Sequence, residues 1–280
     1  MSSSKIMFIT GVSSGFGRAL AQEALACGYQ VVGTVRSESA REAFESLHAE
    51  RAFGRILDVT DFEAIPGVIA EVEASIGPVE VLVNNAGYGY EGIMEESPLD
   101  EMKRQFDVNV FGAVAVIKAL LPAMRERRRG HILNITSMGG FITMPGIAYY
   151  CGSKFALEGI SDVLAKELKP FNIAVTAVAP GSFRTDWAGR SMVRAARTIA
   201  DYDPLFDPIR KAREEKNGRQ PGDPVKAARA MLAVIASETP PAHLLLGSDA
   251  LSLVRDRITD YTAGIDAWEA LTCSTDGPLS

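Results

Sequence analysis

The sequence predicts an α/β fold: a single doubly wound domain in which a seven-stranded parallel sheet is flanked by helices. Three observations carry this. Short apolar runs alternate with helical patterns along the 280 residues. The first of these runs leads straight into a glycine-rich turn, Thr10-Gly11-Val12-Ser13-Ser14-Gly15-Phe16-Gly17, and then into helical spacing. Hydrophobic residues make up 47% of the chain, enough to cover both faces of a sheet.

Taken in order, strand 5–10 is the apolar run Ile6-Met7-Phe8-Ile9. Helix 15–27 follows the turn and ends at Gly28, a residue suited to a helix C-terminus. Strand 29–35, helix 38–49, strand 53–57 and helix 61–75 repeat the alternation, and strand 79–83 precedes a long helix over 100–128. Arg125, Arg127, Arg128 and Arg129 complement the dipole at the end of that helix, with Gly130 as its stop. Strand 130–135, helix 148–169, strand 171–178, helix 223–236 and strand 243–246 complete the pattern. Residues 183–222 break the rhythm. They are charged and carry Pro204, Pro208 and Pro221, and so long an excursion in a compact domain reads as a lid. The domain spans 1–271, and the small polar residues 272–280 read as a flexible tail.

The net charge of −6 argues against a nucleic-acid or anionic-membrane partner. Cys27, Cys151 and Cys273 are scattered, which fits a reducing compartment. His48, His131 and His243 have no metal-ligand spacing, so no metal site is expected. A strand almost at the N-terminus leaves no cleavable leader, and no apolar run is long enough to span a bilayer. A cytoplasmic protein is the simplest expectation.

The candidate site lies at predicted strand ends. The turn of Gly11, Ser13, Ser14, Gly15, Phe16 and Gly17 joins a strand to a helix N-terminus, where unpaired N–H groups can face a pyrophosphate. Asp58, after the third strand, either caps the next helix or contacts a base. Asn84-Asn85-Ala86-Gly87 suits a turn, and equally a loop lying against a flat ligand. Asn109 is a mid-helix asparagine, either exposed or employed. Ser137 follows the fifth strand; Pro180-Gly181, with Thr185 just beyond, follows the sixth. Tyr150 and Lys154 are four apart on one helix face, which sets a phenol beside a cation that favours its anion. Tyr149 is the neighbouring alternative, but four residues on from it lies Ser153, so the role goes to Tyr150.

Each feature alone has a plain structural explanation. As an ordered set, they resemble the short-chain dehydrogenase/reductase family over roughly residues 5–250, nearest its hydroxysteroid and retinol dehydrogenase-like branch. The resemblance implies a Rossmann-type fold and hydride transfer between a nicotinamide and a ketone, aldehyde or secondary alcohol. It makes Tyr150 the acid/base, Ser137 a hydrogen-bond donor to the reacting oxygen, Lys154 the group that lowers the tyrosine pKa and holds the ribose, and Asn109 part of a water-linked relay. Arg36 stands where NAD-specific members tend to carry an acid, so NADP(H) is favoured over NAD(H), with Ser13 adding a hydroxyl and Glu38 a possible source of repulsion. Tyr88, Tyr90, Phe141, Met144, Tyr149, Phe183 and Trp187 would line an apolar pocket for a lipophilic carbonyl substrate. A homodimer or homotetramer, joined through the helices around 100–128 and 148–169, is expected, although 248–271 departs from the glycine-rich ending of tetrameric members. The alternative is a catalytically idle NADP(H)-sensing protein.

Overall fold

The computed structural model describes residues 5–277. Strand β1 (Ile6–Ile9) is buried at every residue, as a central parallel strand covered on both faces must be. Helix α1 (Gly15–Ala26) returns the chain to β2 (Gln30–Val35), and α2 (Glu38–Glu45) leads to β3 (Ala52–Ile56). After α3 (Ala64–Ser75) the chain crosses back to β4 (Val79–Asn84), on the other side of β1. A short strand, β5 (Gly89–Glu91), precedes α4 (Leu99–Phe106) and α5 (Gly112–Arg127). Then come β6 (Gly130–Ile135), α6 (Ala148–Leu168), β7 (Ile173–Pro180), the short β8 (Met192–Arg194), α7 (Asp203–Glu215), α8 (Pro224–Ile235) and β9 (His243–Leu246). The chain closes with α9 (Ser248–Asp266) and α10 (Glu269–Cys273).

Seven strands form one parallel sheet in the order β3-β2-β1-β4-β6-β7-β9. The direction of winding reverses between β1 and β4. In such sheets the crevice beyond the carboxyl ends of the strands at the reversal is where ligands sit. Leu20, Phe44 and Met231 bring α1, α2 and α8 onto one face. Ile65, Val116, Leu120 and Leu168 bring α3, α5 and α6 onto the other.

Several expectations need correction. Helix α4 does not run evenly into α5: a π-helical turn, Asp107–Phe111, joins them. The continuous helix Leu99–Arg127 is long and apolar enough by composition to cross a membrane, contrary to the expectation; Val116, Ile117, Leu120 and Met124 on it pack against the sheet. Its left-handed end is Arg128 (φ 49°), not Gly130, which already starts β6. Residues 183–222, read as a lid that breaks the strand–helix rhythm, have secondary structure of their own. They contain β8, which pairs with β5, and α7. Pro204 is accommodated in the first turn of that helix, where its missing N–H costs nothing. Of the predicted flexible tail, Thr272 and Cys273 close α10, and residues 278–280 lie outside the described residues.

One buried polar group makes stability depend on pH. The His131 Nε2–H donates to Thr176 Oγ1 (3.0 Å), because that hydroxyl spends its own proton on the Pro241 carbonyl (2.7 Å). Burial lowers the His131 pKa to about 4, whereas an unfolded imidazole titrates near ~6.5. The unfolded chain therefore binds the proton first, and stability present above that value is lost as pH falls through the interval. His131→Gln should flatten the melting temperature of the protein across this acid range. An unchanged slope would remove the assignment.

Candidate active site

The glycine turn is held to the β4 end by Thr10. Its hydroxyl accepts the backbone N–H groups of Asn85 (2.9 Å) and Ala86 (3.0 Å). The Asn85 Nδ2 donates back to the carbonyls of Thr10 (2.9 Å) and Gly11 (2.8 Å). The Gly11 N–H donates to Thr34 Oγ1 (3.1 Å), which fixes the turn to β2. Gly15 has φ +58°, and its missing side chain would project toward Thr185, 3.7 Å from the Thr185 Cβ, across open space. Ser14, at the N-cap of α1, makes no side-chain capping bond, so the first N–H groups of the helix remain available.

This turn forms one end of a cavity of about 1010 Å³. Gly11, Ser13, Ser14, Gly15, Phe16, Arg36 and Asp58 line it there. Arg36 is exposed, with no ion pair among the described residues. Glu38 is turned to Arg41 instead, which accounts for its lowered pKa and takes it away from Arg36. Asp58 does not cap α3: its Oδ1 accepts from Thr60 N–H (3.0 Å) and the Thr60 hydroxyl (2.8 Å), closing a local turn. Gly17 lies outside the lining. It is packed against the Gly11 carbonyl and the Asn85 amide, so it serves the fit of α1 to the turn.

Ser137, Tyr150 and Lys154 line the same cavity, with Asn85, Ala86, Gly87, Pro180, Gly181 and Thr185 between the two ends. A Cβ built on Gly139 would lie 3.3 Å from Tyr150 Cε1 and 3.4 Å from Ser137 Oγ, so phenol and hydroxyl flank one small space. The Lys154 Nζ donates to the Ile135 carbonyl (2.8 Å) and lies 5.7 Å from the centre of the Tyr150 ring. Burial brings the Lys154 pKa down to about 8, with Glu158 pulling the other way. Burial also raises the Tyr150 phenol well above its usual value, against smaller opposing effects of Ser137 and Trp187. The expected lowering of the phenol by Lys154 is therefore not a property of the chain alone. At neutral pH the tyrosine carries its proton.

Asn109 sits in the π-helical turn, and such turns are frequent at functional sites. Its Nδ2 donates to the Tyr88 carbonyl and to Ser153 Oγ, and its Oδ1 accepts the Tyr88 N–H, all at 3.1 Å. It lies outside the cavity lining, behind Gly87.

Tyr88, Met144 and Trp187 line the cavity as expected, and the Trp187 ring sits 5.0 Å from that of Tyr150. Phe183 lines it at the opposite end, edge-on to Phe16 at 5.1 Å, so it is misplaced as a neighbour of Tyr150. Tyr149 points away: its hydroxyl donates to the Ser97 carbonyl (2.8 Å) and its ring stacks on Tyr90, which is also absent from the lining. Phe141 packs against His243. The sequence reading missed Ile209, Ala212, Arg213 and Lys216, one face of α7 that borders the cavity. Their helical spacing was the available signal, masked by the prolines. Arg213 is bound to the buried Glu91, which also accepts from Arg194 Nε (3.2 Å). Backbone N–H groups of Thr198 and Ile199, with Arg197, hold the Glu96 carboxyl at about 2. The 183–222 segment is thus pinned to the β5 region by charge.

The donor set fits a dinucleotide. The cradle at Gly15 lacks side chains, the start of α1 is open, and six cations line the cavity (Arg36, Arg104, Lys154, Arg190, Arg213 and Lys216) against Asp58 and Asp186. Fold and crevice together define the Rossmann-type dinucleotide-binding class.

The sequence pattern of the short chain dehydrogenase family matches residues 5–194. The chain is 34% identical over 273 residues to oxidoreductase BOA17 of Botryotinia fuckeliana, covering 97% of this chain and 99% of that protein. It is 37% identical over 246 residues to a 3-ketodihydrosphingosine reductase of Bacteroides thetaiotaomicron, covering 87% and 88%. A crystal structure of a short-chain dehydrogenase from Streptomyces avermitilis shares 39% identity and a TM-score of 0.92, covering 99% of this chain and 100% of that one. The chain belongs to the short-chain dehydrogenase/reductase family, whose members are oxidoreductases acting on CH–OH or carbonyl groups.

Proposed function

We propose that the protein is an NADP-dependent oxidoreductase of lipophilic ketones, aldehydes or secondary alcohols, with Tyr150 as its acid/base. The observation that carries this is the meeting of Ser137, Tyr150 and Lys154, from three segments, in the cavity that also holds the glycine turn. The turn, the start of α1, Arg36, Asn85–Gly87, Lys154 and Thr185 would hold the dinucleotide, which supplies the hydride chemistry when bound. In reduction, the Tyr150 phenol gives its proton to the carbonyl oxygen as charge grows there, while the Ser137 hydroxyl donates a hydrogen bond to it. Lys154 stabilises the phenolate left behind. Oxidation reverses these steps. Asn109 Oδ1 and Lys154 Nζ both border Gly87; a water bound between them would return the proton from solvent. Met138, Met144, Trp187 and Ile209 give the cavity the apolar surface that a lipophilic substrate needs. Similarity to a reductase named for a lipid ketone supports the same class. The α7 segment is the lid that sets substrate range. Exposed Leu99, Phe111, Phe155 and Val163 on α4–α6 support a homo-oligomer through those helices.

A panel of ketones, aldehydes and alcohols, followed by absorbance with NADPH and NADH in parallel, tests this reading; no turnover with any would favour a sensor. Arg36 carries the coenzyme choice. A hydrogen bond to a charged group contributes about 1.5–3 kcal/mol, so Arg36→Asp should weaken NADPH roughly ten- to hundredfold. Titrated by fluorescence, NADH should change little. Equal losses would sink the phosphate contact.

A further inference from the structure

Helix α9 leaves the body of the protein. Only Ala250 and Val254 on it are buried. Beyond them Ile258 is 58% exposed, Tyr261 60% and Ile265 57%, followed by Trp268 at 65%. The apolar positions Leu251, Val254, Ile258, Tyr261 and Ile265 recur at alternating spacings of three and four. That is the repeat of a helix whose partner is another helix. Successive members lie on the face that Val254 turns to the core, so the docking surface continues past the edge of the domain. Both cations of the helix, Arg255 and Arg257, lie in its first half together with Asp249 and Asp256; the second half carries Asp260 and Asp266 and no cation. Arg255, Asp260 and Asp266 form no ion pair among the described residues, and Arg257 stacks on the Tyr261 ring at 4.8 Å. The helix carries four aspartates, two arginines and no lysine, the reverse of the basic helices that lie on membranes.

We propose that α9 is a self-docking helix, pairing antiparallel with α9 of a second copy about a two-fold axis near residues 259–260. In that arrangement Ile258 meets Tyr261 of the partner subunit, and Arg255 approaches Asp266 of the partner subunit. A parallel pair would instead set Asp260 and Asp266 against their own copies. Two-fold symmetry makes each contact twice.

Sedimentation equilibrium of the full chain tests this. Ile258→Asp combined with Ile265→Asp should halve the sedimenting mass, whatever other interface persists, with circular dichroism and turnover per subunit unchanged. Arg255→Asp alone should weaken association severalfold, and adding Asp266→Arg should restore it, as only antiparallel pairing allows. A wild-type monomer, an unchanged mass in the double variant, or failure of the charge exchange would overturn the proposal. So would recruitment of the wild-type chain to phosphatidylcholine vesicles through this face.

Discussion

Tyr150→Phe should lower turnover by about a thousandfold, since a positioned general acid contributes roughly 10²–10⁴, and leave NADPH affinity within about twofold. The argument is one of subtraction. The ring is buried, packed beside Trp187 and among Ile147, Cys151 and Met144. Phenylalanine keeps that packing and loses only the hydroxyl. Among the described residues this hydroxyl meets the Ser137 and Trp187 side chains, both lining the cavity, so melting temperature should hold. Ser137→Ala should cost less, because it removes one hydrogen bond to the oxygen and no proton. Single-turnover absorbance with a substrate from the carbonyl panel, together with coenzyme titration, separates the two effects. Retained turnover in Tyr150→Phe would remove the assigned acid. Loss of coenzyme binding with it would mean that the phenol is a binding group.

The phenol also shows what a sequence can and cannot reveal. The spacing of Tyr150 and Lys154 sets them on one face of α6, and Ser137 arrives from the end of β6, all legible from strand and helix patterns. The sign of the resulting pKa was not legible. It depends on how much water burial removes, and here burial raises the phenol against smaller opposing effects of Ser137 and Trp187. The central strands were readable because parallel strands buried on both faces are continuous apolar runs. Two classes of element were not. α7 is polar on most of its surface and holds Pro204 and Pro208, yet Phe206 anchors it in the notch left at Gly146, where a Cβ would meet the ring at 2.0 Å. α9 buries two residues, so the sheet imposes no core-facing stripe on it beyond Val254. Tyr149 and Phe183 were misplaced for a third reason. Both are aromatic residues next to site elements, but direction is set by local partners, the Ser97 carbonyl for one and the Phe16 ring for the other.

Gly17→Ala should damage stability and dinucleotide binding together. A Cβ there would lie 2.2 Å from the Gly11 carbonyl oxygen and 2.5 Å from Asn85 Nδ2. Neither atom can step aside cheaply: the Asn85 amide bridges the Thr10 and Gly11 carbonyls, and the turn is backbone. Either α1 shifts outward or the turn opens, and both disturb the cradle at Gly15. Overpacking of this kind costs about 1–3 kcal/mol, which in a chain of this size is several degrees of melting temperature, on the order of 2–4 °C per kcal/mol. Dinucleotide affinity should fall at least tenfold, since roughly 1.4 kcal/mol lost at the cradle is a factor of ten. Gly67→Ala is the control. It lies in α3 with nothing within 4 Å of its Cβ, and alanine there should raise the melting temperature through helix propensity. Calorimetry and coenzyme titration of the two variants side by side should give opposite signs in stability and a binding defect in Gly17→Ala alone. If Gly17→Ala binds NADPH as tightly as the parent chain, the glycine turn does not hold the dinucleotide through the close fit of α1.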